Sequence, residues 1–134
     1  MNLTLPRGVK NNNPGNIRIA PGVHWQGQSD IQTDGAFVQF DDPLYGIRAI
    51  ARIMHSYERL GIRTIHDAIN RWAPPNENNS AAYVDAVCDD CHLHPYDTVS
   101  LESVLPELIA AIIKHENGIQ PYTQDQIQQG IALA

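Results

Sequence analysis

The chain has little positive charge, few aromatic rings and little cysteine. Of its 134 residues 18% are charged, 7% are aromatic and two are cysteine. Nine Lys and Arg stand against fifteen Asp and Glu, for a formal net charge of −6. No basic patch emerges, so nucleic acid is not an expected partner, because phosphate backbones are bound by clustered Lys and Arg. The same acidity argues against charge-driven attachment to an anionic wall or membrane. Long apolar runs are also missing. Leu108 to Ile113 falls well short of the roughly 20 residues a helix needs to cross a bilayer, so no membrane insertion is expected. The opening Met1-Asn2-Leu3-Thr4-Leu5-Pro6-Arg7 lacks the apolar core of a signal peptide, which predicts synthesis in the cytoplasm. Action at the periplasm or cell wall would then require lysis, a secretion machine or a virion for delivery.

The two cysteines sit in Cys88-Asp89-Asp90-Cys91, followed by His92 and His94. A structural zinc takes four well-spread ligands, usually as pairs on separate elements. Here all four candidates fall within seven residues at a helix end. The expectation is a pair of reduced surface thiols in a loop, with no metal and no cofactor.

What the chain does have is a globular composition, with 43% hydrophobic residues. At this length it is expected to bury one core, as a single domain over residues 1–134 with 1–10 as a tail or edge segment. Residues 11–40 read as turn-rich β structure, with turn signals at Asn13-Pro14-Gly15-Asn16 and Pro21-Gly22. Asp34-Gly35 between two short runs predicts a hairpin. Phe37 and Phe40 cannot share one face of a regular strand, which implies a bulge or burial on both sides. The remainder reads as helix. Asp42 caps a helix opened by Pro43 and ended near Gly61. Thr64 with Asp67 starts a short second one. Residues 72–79 form a loop around two prolines, and Ser80 caps a third helix through Val87. Ser100 caps a fourth running to Glu116, unless that helix starts nearer Pro106 or kinks there. Thr123 with Gln126 opens the last. The expected fold class is α+β, mostly helical, with a small N-terminal β hairpin and about five helices.

The fourth helix carries the most informative feature. Its apolar stretch Leu108-Ile109-Ala110-Ala111-Ile112-Ile113 ends in Lys114-His115-Glu116-Asn117-Gly118. Gly118 stops the helix, and Glu116 becomes a single acid at the end of a buried rod. A carboxyl group partly withdrawn from water holds its proton, the condition a general acid needs. Acids at a helix C-terminus are disfavoured by the helix dipole, which weakens the reading of Glu116 as a plain solvated residue. His115 fits the dipole as a helix-end cation.

Leu108 to Gly118 resembles the catalytic helix of lysozyme-like soluble lytic transglycosylases, in which an apolar helix ends in a Glu-Ser-Gly-like sequence. The front of the chain, Asn13-Pro14-Gly15-Asn16-Ile17-Arg18 followed by Trp25-Gln26-Gly27, Phe37 and Phe40, resembles the stretch after that helix in bacterial glucosaminidases. Arg71-Trp72-Ala73-Pro74 and Asn79-Ser80-Ala81-Ala82-Tyr83-Val84 look like their closing pieces. The resemblance implies a lysozyme-like fold in circularly permuted order, which is tolerable where the original termini lie close together. The string Asn11-Asn12-Asn13-Pro14-Gly15-Asn16-Ile17 with His115-Glu116-Asn117-Gly118 also resembles small phage virion and endolysin-like proteins, over residues 7 to 130.

The resemblance implies a glycosidase acting on peptidoglycan glycan strands, either a muramidase or a lytic transglycosylase. Glu116 would give its proton to the glycosidic oxygen, and Tyr83 would hold it by a hydrogen bond or, equally, serve as a core aromatic with an exposed hydroxyl. If water attacked, a second acid would be needed, and Asp30, Asp34 and Glu77 are the candidates. Asn13 and Asn16 are candidates to bind acetamido groups, although Asn also suits left-handed turns on its own. Arg18 could hold a lactyl or peptide-stem carboxylate or form a surface ion pair. Trp25 and Trp72 are candidates to stack on sugars, and equally candidates for the core. The alternative is a non-catalytic virion or wall-binding protein. A virion partner, a secretion machine or an immunity protein are candidate controlling partners.

Overall fold

Helices begin where the sequence supplies an acceptor for their first free N–H groups. The structure is a computed structural model and describes residues 4–134; the part of the expected tail over residues 1–3 lies outside them. Among the described residues there are six α-helices and one 3-10 turn: α1 (Arg7–Lys10), α2 (Pro43–Arg59), α3 (Ile65–Trp72), α4 (Ser80–Cys91), the turn Glu102–Val104, α5 (Leu105–Asn117) and α6 (Gln124–Ala132). The Asp42 side chain accepts from the Leu44 N–H at 2.8 Å and Pro43 fills the first turn of α2. The Thr64 hydroxyl accepts from Asp67. Thr123 and Gln126 close a reciprocal capping box.

Four expectations are corrected. α4 is capped by Asn79, whose Oδ1 accepts from Ala82, and it runs to Cys91 rather than Val87. Ser80 is buried and turns its hydroxyl to the Ala73 carbonyl instead. Cys88 and Cys91 therefore lie within the last turn of a helix and not in a loop; Cys88 is buried. Burial pushes both thiols up, Cys91 to about 11, so neither is primed as a thiolate. Ser100 does not cap α5, which begins at Leu105 with Pro106 in its first turn, the start nearer Pro106 that the proline allowed. Residues 7–10 are not a tail but a helical turn, α1, with Gly8 buried.

The larger correction concerns fold class. The chain is helical, and the α+β fold with an N-terminal hairpin does not form. Residues 11–41 contain two isolated antiparallel bridges, Arg18 with Phe37 and Gln28 with Phe40. The reason is chemical. Where a hairpin across Asp34-Gly35 would pair backbone with backbone, side-chain amides take the positions. Gln32 donates Nε2 to the Gln39 carbonyl at 2.8 Å and accepts from the Gln39 N–H at 2.8 Å. The Gln39 side chain in turn accepts from the Thr33 N–H. The segment 36–41 pairs instead with residues 17–19 and then 27–29.

The core collects Ile47, Ile50 and Met54 from α2, Ile65 and Ile69 from α3, Val87 from α4 and Ile127 from α6 around α5. Leu108, Ile109, Ile112 and Ile113 of α5 are fully enclosed. A smaller cluster of Val38, Phe40 and Ala49 packs with Trp25 and Tyr45. Phe40 thus points into this cluster, while Phe37 is half-buried and lines a groove.

Candidate active site

α5 carries Glu116 in its last turn, and Gly118 at φ 74° ends the helix by donating its N–H to the Lys114 carbonyl at 2.7 Å. Lys114 and His115 face solvent while Glu116 is half-buried. Its carboxylate accepts two hydrogen bonds. The Tyr83 hydroxyl donates to Oε2 at 2.8 Å, and Asn16 Nδ2 donates to Oε1 at 3.0 Å. Behind Tyr83, the Trp72 indole N–H donates to the phenol oxygen at 3.1 Å. Burial first, and then the Glu116 charge beside it, push the Tyr83 hydroxyl far above the ordinary phenol range, so it stays a proton donor. The His115 ring lies 3.8 Å from the Tyr83 ring, centroid to centroid, and covers its outer face.

Asn16 reaches the acid because its backbone is left-handed, at φ 50°, a conformation Asn accepts more readily than most residues. Asn117 ties the end of α5 to the same turn by donating Nδ2 to the Pro14 carbonyl at 2.8 Å. Gly8 of α1 closes the back of the site. A Cβ there would stand 2.7 Å from the Oδ1 atoms of both Asn16 and Asn117.

Glu116 opens onto a groove of about 370 Å³ lined by Asn16, Arg18, Phe37, Tyr57, Trp72 and Glu77, among others. Of the residues singled out from sequence, the fold brings Glu116, Tyr83, Asn16 and Trp72 into one hydrogen-bonded chain and places Arg18 on the groove. Asn13 and Trp25 are elsewhere. Asn13 is fully buried, and its amide is spent on the Ile17 and Val38 backbone. Trp25 packs into the smaller cluster. Of the three acids considered for a second role, Glu77 lines the groove, whereas Asp34 is locked to Arg7. Tyr57 and Phe37 line the groove without having been selected as site residues; nothing in local spacing separates them from core aromatics.

No family model matches the chain. It is 38% identical over 127 residues to Protein P5 of Pseudoalteromonas phage PM2, an alignment covering 92% of this chain and 79% of that protein. The chain belongs to the Protein P5 family. An alignment of that extent spans every residue from Asn13 to Asn117, so the whole groove lies within the part shared with a phage protein.

Proposed function

We propose that this Protein P5 family member cleaves the glycan strands of peptidoglycan with Glu116 as its single essential acid. The observation that carries the reading is the Glu116 carboxylate fixed by Tyr83 and Asn16 at the head of an aromatic-walled groove. Such a group is held in one orientation, the condition for delivering a proton to a bound glycosidic oxygen. Protonation breaks the bond to the leaving sugar and leaves an oxocarbenium-like centre. The neighbouring N-acetyl oxygen can stabilise that centre. Attack by the sugar's own 6-hydroxyl, which returns its proton to Glu116, gives an anhydro product. Attack by water gives a reducing end and calls for a second acid to take the water's proton, for which Glu77, on the groove lining, is the candidate. The kinship with lytic transglycosylases, in permuted order, belongs to this proposal, as does action at the cell wall after lysis, secretion or virion delivery.

A second reading is a virion or wall-binding protein without catalysis; the phage origin of the relative supports the virion part of it. Digestion of purified peptidoglycan by wild type and Glu116→Gln, with released muropeptides read by mass spectrometry, separates the two. Anhydro products from wild type alone are expected, and reducing-end products would make it a hydrolase. No release by a correctly folded wild type would leave the structural role.

A further inference from the structure

Among the described residues the groove carries one basic side chain, Arg18, in a protein whose net charge is −6. Its placement is set by backbone pairing. Val38 donates to the Ile17 carbonyl at 3.0 Å and Ile19 donates to the Ala36 carbonyl at 2.9 Å, which leaves Arg18 and Phe37 as a directly opposed pair between those bonds. Side chains of such a pair stand close on one face. The Arg18 guanidinium accordingly lies over the Phe37 ring, 5.0 Å from its centroid. A ring face holds a cation in place without neutralising it.

Asp34, whose carboxylate accepts from the Phe37 N–H, is committed to Arg7. Asp34 takes both a 2.7 Å bond from Arg7 Nε and a second from the same guanidinium. It also accepts from Asn11 Nδ2 and from the N–H groups of Ala36 and Phe37. With five donors around it, the Asp34 carboxylate has no capacity left for another cation. Among the described residues no carboxylate lies within ion-pair distance of Arg18. An unpaired, positioned guanidinium on a binding groove is a receptor for a planar anion.

We infer that Arg18 is a specificity-determining residue that binds a carboxylate carried by the glycan, so that the groove selects acid-bearing strands over neutral N-acetylglucosamine polymers. This rests on the reading of the groove as a glycan site. The carboxylate is either that of an unsubstituted lactyl group or one on a stem peptide, and the two differ in whether the strand keeps its peptides.

The test measures binding as well as cleavage. Glu116→Gln protein, which retains the groove, is titrated with three soluble probes: neutral N-acetylglucosamine oligomers, peptide-free strands with free lactyl groups, and strands bearing stem peptides. The same titrations are run with Arg18→Gln added. An acid-bearing probe should bind more tightly than the neutral oligomer, and Arg18→Gln should collapse that preference by about 10- to 100-fold, as expected for loss of a charge-assisted bond. The preference should also weaken with added salt. Which acidic probe shows the effect identifies the carboxylate. Equal binding of neutral and acidic probes, or a preference untouched by Arg18→Gln, overturns the inference. An Arg18-dependent preference in a protein that cleaves nothing would leave the inference standing and remove the enzyme reading alone.

Discussion

A phenol has one proton to give, and Trp72 decides where Tyr83 gives it. Because the indole N–H occupies the phenol oxygen, the hydroxyl proton is directed at Glu116. Trp72→Phe should therefore lower the rate of glycan cleavage by roughly 2- to 10-fold, the range of one net hydrogen bond. In a Tyr83→Phe background the same change should cost almost nothing. An undiminished Trp72→Phe effect in that background would mean that Trp72 acts only as a wall of the groove. Asp34 invites a second test. Hydrogen bonds from Arg7, then from Asn11 and the Phe37 N–H, hold its carboxyl well below the usual carboxylate range. A depressed folded-state value means that the stabilisation is complete above the ordinary Asp range and is lost as pH falls below it. The melting-temperature gap between wild type and Asp34→Asn should accordingly be widest near neutrality and narrow below about pH 4. A gap independent of pH would show that only the shape of the side chain matters there.

At the scale of elements, α5 is both the centre of the core and the mount of the acid. Ile112 is fully buried one turn before Glu116. Ile112→Ala should cost about 2–5 kcal/mol in urea unfolding, from lost transfer energy and the cavity left behind. Activity per folded molecule should remain, since the Glu116 contacts come from Tyr83 and Asn16. A shift under about 0.5 kcal/mol would show that the site collapses around the smaller residue. The helices were legible where cap and periodicity agreed, as at Asp42-Pro43, Thr64-Asp67 and Thr123-Gln126. They were misread where two capping residues adjoin: Asn79 caps α4, and Ser80 beside it turns inward to Ala73. The absent hairpin is the same kind of failure. Gln32 and Gln39 look like ordinary strand residues, yet their amides displace the backbone ladder.

At the scale of the whole molecule, the site is a junction of the two ends of the chain. Asn16 and Glu116 are 100 residues apart, and Asn117 and Pro14 are 103 apart. α1 seals this junction through Gly8. A Cβ at Gly8 would press on the side-chain ends of Asn16 and Asn117 and come within 2.8 Å of the Asn13 carbonyl. Gly8→Ala should keep the helical circular dichroism spectrum, because the core helices do not depend on this contact. Cleavage should fall by about 100-fold through misplacement of the amide that holds the acid. Retained activity would mean that the Asn16 contact is dispensable.

The sequence by itself determined that the chain is mostly helical, that α5 is an apolar rod stopped by Gly118, and that Glu116 is an acid in an unfavourable position along a helix dipole. These are local properties, set by caps, spacing and composition over a few residues. Only the tertiary structure decided that Asn16 meets Glu116 while Asn13 is sealed in the backbone, that Trp72 reaches Tyr83 while Trp25 packs elsewhere, and that Asp34 is spent on Arg7 while Arg18 lies on the groove. Identical residue types diverge in role because long-range packing determines which of them a distant helix end can touch.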